Sequence, residues 1–376
     1  MIYLDNSATT QPSKVCVDTM TELLTCAWGN PSSVHALGID AEKRLKAARA
    51  QVAQALGAEP ERVFFTSGGT EADNWAISGA AERLGKRGRH IVTTAVEHHA
   101  VLHPMQRLEA RGFEVTYLQP DETGFVSAEK LAEALRPDTI LVSVMMVNNE
   151  TGAVTDIAGI ARTLREAKSK ALLHTDAVQG FMKEPFSAKT LGADMISVSG
   201  HKVHAPKGIG ALYIRQGLKL PAHILGGGQE EGLRSGTEPM PQIAAFGEAV
   251  RIAKAEMPEA NRRMEALRAQ CVQTLTDAVP GIVFLGGGSA HILSLSLPGY
   301  RSEVLMNYLE AKGVYVSKSS ACKRGKRSHV LEAIGAPDKV IDGALRVSFS
   351  RYTTAEECVS FCEALAAAHR ELYPSL

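Results

Sequence analysis

The hexapeptide Ser197-Val198-Ser199-Gly200-His201-Lys202 places an amine, two hydroxyls and an imidazole on one short connection. It follows the apolar run Gly192 to Ile196 and precedes a Gly/Pro turn, Ala205 to Gly208, and a second apolar run, Ile209 to Ile214. Lys202 therefore stands at a strand's end. There it suits an amine that forms a Schiff base with an aldehyde cofactor whose phosphate rests on Ser199 and His201. Taken alone, the same residues also describe a solvated lysine in a turn.

Other segments offer the remaining chemistry. Val63 to Thr66 runs into Ser67-Gly68-Gly69-Thr70-Glu71, a strand, a glycine turn and a helix start. Free N–H groups at that helix start, with the Thr70 hydroxyl beside Gly69, make a phosphate cradle. An ordinary capped turn uses the same residues. Asp176 closes the run before Ala177-Val178-Gln179, where a carboxylate can keep a pyridine nitrogen protonated and Gln179 can donate to a ring oxygen. It could equally cap a helix. His98, in Glu97-His98-His99, offers a flat ring to stack on a planar cofactor, while Asn149 in Asn148-Asn149-Glu150-Thr151-Gly152 offers an amide or simply turn chemistry. His99 and His103 have i, i+4 spacing, but no third ligand stands at useful spacing, so no metal is expected.

The glycine-rich stretch Gly226 to Thr237 carries Arg234 and suits anion contacts across a subunit boundary, or a surface loop. Cys322 is followed by Lys323, Arg324, Lys326 and Arg327, cations that favour its thiolate and make it a better nucleophile. A solvated basic loop with an incidental thiol is the plainer account. Arg346, within Leu345 to Phe349, has the fork geometry for a substrate α-carboxylate.

The elements that must position these groups alternate from Arg62 onward. Strand-like runs at 63–66, 90–94, 114–118, 139–147, 171–175, 194–198 and 209–214 are separated by helical patterns, which predicts a mostly parallel sheet covered on both faces. Ligands in such an architecture bind beyond the carboxyl ends of the strands. After Arg251 a charged helix, Glu259 to Leu275, leads into a smaller α+β unit ending in the helix Ala355 to Arg370. Cys358 and Cys362 lie one helical turn apart there, as two small apolar side chains on a buried face.

Bulk properties exclude several classes. The 41 basic residues match 41 acidic ones, so no overall field draws the chain to nucleic acid or anionic lipid. The densest apolar run, Thr139 to Val147, falls far short of the roughly 20 residues a membrane span requires. Met1 to Pro12 lacks the basic-then-apolar pattern of a signal, and the six cysteines show no CxxC pair, so the expected location is the cytoplasm with thiols reduced.

In order, YLDNSATT, GNPSSVHALG, FTSGGTEADN, EHHAVL, VNNETG, HTDAVQ, SGHKVHAPKGIGALY, RSGTEP, SSAC and LRVSFSR span nearly the whole chain. Together they resemble the cysteine desulfurases of the NifS/IscS type, a group within the class V aminotransferases and the pyridoxal-phosphate enzymes of the aspartate-aminotransferase fold (fold type I). SSAC is the specific motif, since aminotransferases of this fold have no reason to carry that cysteine. The resemblance implies an α/β fold with a mostly parallel seven-stranded sheet. It also implies an N-terminal arm (1–12), a large cofactor domain (13–250) and a smaller C-terminal α+β domain (251–376) that carries the cysteine loop.

By motif, Lys202 resembles the Schiff-base lysine, Asp176 the pyridinium partner, Gln179 the ring-oxygen contact and His98 the stacking imidazole. Gly69, Thr70, Ser199 and His201 resemble the phosphate ligands, with Thr237 reaching in from the other subunit of a homodimer. Asn149 and Arg346 resemble the pair on the substrate carboxylate, and Cys322 the nucleophile. The implied activity uses pyridoxal 5′-phosphate to convert L-cysteine to L-alanine, leaving a persulfide on Cys322 for a sulfur-acceptor protein in iron–sulfur cluster assembly or thiolation of tRNA or cofactors. Rival readings are a selenocysteine lyase or aminotransferase of the same fold, and a noncatalytic sulfur-relay scaffold. The loop departs from the family's SSGSACTSAS: Lys318 stands where a small residue would, and 323–327 is basic.

Overall fold

The computed structural model describes residues 1–318 and 327–374. Its strands are β1 (Ile2–Tyr3), β2 (Val63–Thr66), β3 (His90–Thr94), β4 (Glu114–Leu118), β5 (Thr139–Ser143), β6 (Leu172–Asp176), β7 (Met195–Ser199), β8 (Gly210–Ile214), β9 (Val283–Leu285), β10 (Ile292–Ser296), β11 (Val314–Tyr315), β12 (Ser317–Lys318) and β13 (Ala344–Ser348). The helices are α1 (Lys14–Thr25), α2 (Ala36–Leu56), α3 (Gly69–Leu84), α4 (His99–Glu109), α5 (Ala128–Ala134), α6 (Ile157–Glu166), α7 (Ala188–Leu191), α8 (Met240–Ala278), α9 (Ser302–Ala311), α10 (His329–Ala333), α11 (Asp338–Asp342) and α12 (Ala355–Glu371).

Seven strands form one sheet in the order β2-β8-β7-β6-β5-β3-β4. Only β8 runs against its neighbours, pairing antiparallel with β2 and β7. Helices cover both faces, so β3, β5, β6, β7 and β8 are buried along their whole length. That is why they read as continuous apolar runs rather than alternating ones. One face packs Phe181, Phe246 and Leu56; the other packs Trp75, Phe64 and Met105. Helix boundaries follow local chemistry: Ser13 caps α1, Asp156 caps α6, and Thr354 with Glu357 forms a capping box on α12.

The expected strand 139–147 is shorter than its apolar run. Past Ser143 the chain leaves regular pairing, yet Val144 and Met146 still donate to His174 and Asp176 carbonyls at 3.1 and 2.9 Å. The apolar residues continue because the segment stays buried as it enters the site.

Residue 250 falls inside one 39-residue helix, α8, rather than ahead of a separate helix at 259. At 1.5 Å per residue α8 spans about 58 Å. Ile243 to Ala253 belong to the core of the large sheet, and Ala260 to Leu275 to a second core with Leu4, Phe349 and Phe361. That second core lies on the antiparallel sheet β12-β13-β10-β9, and Cys358 and Cys362 are buried in it. The N-terminal arm pairs β1 with β11, bridges Asp5 to Ser348, and continues until the Thr10 N–H donates to the His201 carbonyl at 2.9 Å. A strand too short to fold alone is thus stretched between the second sheet and the lysine segment.

Candidate active site

The carboxyl ends of the large sheet converge on a cavity of about 330 Å³. Its lining brings together ten of the residues singled out by motif: Gly69, Thr70, His98, Asn149, Asp176, Gln179, Ser199, His201, Lys202 and Arg346. Nine of them stand at or beyond the carboxyl end of a strand of the large sheet, the edge where such a sheet leaves its backbone open, while Arg346 comes from the middle of β13 in the second sheet. Thr237 is exposed and is not part of this lining in the single chain. Cys322 lies outside the described residues, as do Lys323, Arg324 and Lys326.

Lys202 follows β7 on a single 3-10 turn, Gly200–Lys202. Its Nζ donates to the carbonyls of Ser7 and Ala8 at 2.5 and 2.7 Å. Burial, with the positive charges of Arg346 and Lys183, brings its pKa down to about 7, against the opposing pull of Asp5 and Asp176. Near neutral pH the amine is therefore poised between its two forms.

Asp176 ends β6 and accepts from the Val178 N–H at 2.9 Å. Burial, then the neighbouring Asp73, pushes its pKa up to about 7. Asp73 also lines the cavity, and sequence reasoning missed it. It lies three residues after Thr70 on α3, so helical spacing returns it to the cradle's face. Its Oδ1 is buried with no hydrogen-bond partner among the described residues, and burial raises its pKa to about 7. His174 stands 3.5 Å from that carboxyl, held between Ser143 and Ser197 hydroxyls at 2.8 and 2.9 Å. Burial keeps His174 neutral, with a pKa of about 4.

His98 caps α4, its Nδ1 accepting from the Ala100 N–H at 3.1 Å, which leaves the proton of the neutral ring on Nε2. Burial, then the nearby Lys202, holds its pKa near 4. His201 is pushed to about 3, again by burial and then Lys202. The rings of His99, His103 and His329 lie near one another, with centroids 5.0 and 4.9 Å from His99. Among the described residues no group of three or more His, Cys, Asp or Glu is arranged to hold a metal.

At the cradle, Gly68 has φ 155° and ψ −179°, a region essentially closed to other residues, and no side chain caps α3. A Cβ on Gly210 would come within 2.6 Å of the Val198 carbonyl oxygen and 2.7 Å of Gly68 backbone. The bare backbone lets β8 press against the turn and leaves the helix N-terminus facing the cavity.

Arg346, at 2% exposure, donates from Nη1 to the Asn149 carbonyl at 2.9 Å and from Nη2 to Asp5 at 2.8 Å. Gln179 donates to the Ser7 carbonyl at 2.9 Å. The arm residues Asp5, Ser7 and Ala8 thus hold three site side chains, a role no local motif announced. Arg234, offered above for anions across a boundary, instead pairs within the chain with Glu71 on the first turn of α3, at 2.8 and 3.2 Å.

The donor set fits pyridoxal 5′-phosphate on its chemistry: an uncapped helix start for a phosphate, a flat neutral imidazole, a buried carboxyl and an amine of lowered pKa around one cavity. Fold and site together define an α/β protein of the pyridoxal-phosphate-dependent transferase class.

More narrowly, the chain belongs to the class-V aminotransferase family, whose pattern matches residues 2–361. It is 43% identical over 361 residues to a cysteine desulfurase IscS of Methanosarcina thermophila, covering 95% of this chain and 89% of that one. Among solved structures, a NifS-like protein superposes with a TM-score of 0.94 at 38% identity, covering 99% of this chain and all of the other. SspA in complex with cysteine superposes with a TM-score of 0.80 at 34% identity, covering 94% and 100% of the two chains. The family implies pyridoxal phosphate as cofactor.

Proposed function

We propose that this protein is a cysteine desulfurase, converting L-cysteine to L-alanine and passing the sulfur, as a persulfide on Cys322, to an acceptor protein. The observation that carries the reading is the convergence of Lys202, Asp176, His98 and the Gly69-Thr70 cradle on one cavity, in a chain whose relatives bear that name. When bound, the cofactor ring takes up the electrons released at the substrate's Cα.

The protein's own groups do the rest. Thr70, Ser199, His201 and the α3 N-terminus would hold the phosphate, and His98 would offer its flat neutral ring to the cofactor. Asp176 would face the ring nitrogen, whose positive charge when protonated would favour the carboxylate form. Arg346 and Asn149 would hold the substrate carboxylate. Lys202, with its pKa near 7, is neutral often enough to take the Cα proton at physiological pH. The Cys322 thiolate then attacks the substrate sulfur. The new S–S bond forms as the Cβ–S bond breaks, its electron pair stays on the carbon skeleton, and protonation of that skeleton yields alanine.

A homodimer with Thr237 entering the partner's site accords with its exposure here. Exposed Trp28, Val34, Leu37 and Leu225 give the surface apolar area for such an interface. We place the reaction in the cytoplasm, with a protein acceptor serving iron–sulfur cluster assembly or the thiolation of tRNA or of a cofactor. Among the described residues no helix is long and apolar enough to cross a membrane. The test is incubation of the cofactor-loaded chain with L-cysteine, followed by mass spectrometry of the protein and assay of alanine. A one-sulfur adduct on Cys322 with matching alanine is expected. Undiminished alanine and sulfide release from Cys322→Ala would overturn the reading.

A further inference from the structure

Lys202 also borders a second, smaller space of about 30 Å³, whose other lining residues are not shared with the cofactor cavity. It is bounded by the start of the loop after β13, the middle of α8 and the turn after β6, with Lys183, Lys202, His204, Arg351, Ser350 and Thr10 as its polar lining and Met257 and Met264 on its apolar side. Arg351 is 8% exposed. Its Nε and Nη2 are buried and have no hydrogen-bond partner among the described residues. The nearest carboxylate, Glu256, stands 3.5 Å from Nε on a side chain that is 52% exposed, and the guanidinium carbon lies 5.0 Å from the Tyr352 ring centroid. Neither contact supplies an acceptor at hydrogen-bond distance.

Lys183 adds a second positive charge to the same lining, its Nζ donating to the Lys202 carbonyl at 3.0 Å. Burial, with Arg351 as a like charge, brings the Lys183 pKa down to about 8, against the pull of Glu184. Two cations thus share one small pocket, and the guanidinium has a single carboxylate at 3.5 Å and no acceptor for Nε or Nη2 at hydrogen-bond distance. Buried charged donors without acceptors are strongly disfavoured, and one half-exposed carboxylate offsets only part of two positive charges, where a water provides only a neutral acceptor. The space exceeds the roughly 10–15 Å³ that one water needs, which suits a halide beside a water.

We propose that Arg351 and Lys183 form a binding site for a monovalent inorganic anion of halide size, bordering Lys202 and separate from the phosphate cradle. The Ser350 hydroxyl, which accepts from the Tyr352 N–H at 3.2 Å and keeps its own proton, completes its donors. Glu256 and Glu184 nearby limit it to a single negative charge.

The test uses the full, cofactor-loaded chain. Crystals soaked in sodium bromide are expected to show one anomalous peak at hydrogen-bond distance from Arg351 Nε or Nη2. In solution, replacing gluconate by chloride at constant ionic strength is expected to raise the unfolding temperature saturably. Arg351→Met or Lys183→Met should abolish that rise. Water alone at the position, or a chloride response unchanged in both variants, overturns the proposal. A bromide peak without a saturable response in solution marks an adventitious ion only and overturns it equally. Should Arg351→Met not fold, Lys183→Met and the wild-type diffraction experiment decide.

Discussion

The lowered pKa of Lys202 makes a quantitative claim about cofactor capture. An amine condenses with an aldehyde only when neutral. At pH 8 a lysine with a pKa of about 7 is ~90% neutral, whereas an ordinary lysine near 10.4 is ~0.4% neutral, a ratio of more than about 200. Mixing the cofactor-free chain with pyridoxal phosphate in a stopped-flow spectrometer should give a rate that rises with pH around a midpoint near 7 and levels off above pH 8. N-acetyl-lysine run in parallel should still be climbing at pH 9. Arg346→Gln removes the largest positive influence on Lys202 after burial, so the midpoint should move to higher pH. Stability carries the same sign. Between pH 7 and about 10.4 the unfolded chain holds a proton on this lysine that the folded chain does not, so its contribution to cofactor-free stability increases with pH across that window and is lost as pH falls toward 7. A capture midpoint near 10, or one that ignores Arg346→Gln, would refute the reasoning.

Arg346→Lys exchanges a fork making two charge-assisted bonds for a point donor, and kcat/KM for cysteine should fall about 100-fold, mostly through KM. Asp73→Asn removes the like charge beside Asp176. Asp176 should then ionise at lower pH, and the acid limb of the bound cofactor's absorbance titration should shift down with it; an unmoved limb would show that the two carboxyls are not coupled. Glu230 accepts both Arg49 nitrogens at 2.7 Å and the Phe65 N–H at 2.8 Å while buried. Glu230→Ala strands a half-buried guanidinium and should cost about 3–5 kcal/mol in urea unfolding.

Much of the site was readable in the chain because its parts are local. Strand, glycine turn and helix start are contiguous at Val63 to Glu71, and the same punctuation places Asp176 and Lys202 at strand ends without knowledge of which strand lies beside which. The alternation from Arg62 likewise foretold the sheet and the edge on which ligands collect. Continuous apolar runs were harder to end correctly. Burial persists past Ser143 after pairing stops, and Pro258, which reads as a helix boundary, conceals that α8 begins at Met240 rather than 259.

Other features depend on distance in the chain. Asp5, Ser7 and Ala8 meet Arg346, Gln179 and Lys202 across 172 to 341 positions, and small polar residues in an extended arm carry no sign of such partners. Asp73 looks like a surface acid on a helix until α3 is laid on the sheet, and Arg351 like an ordinary surface cation until α8 closes over it. Amino-acid types along the chain determine which groups stand at the open edge of the sheet. Only the folded arrangement decides which become buried against one another, and burial is what moves their proton affinities.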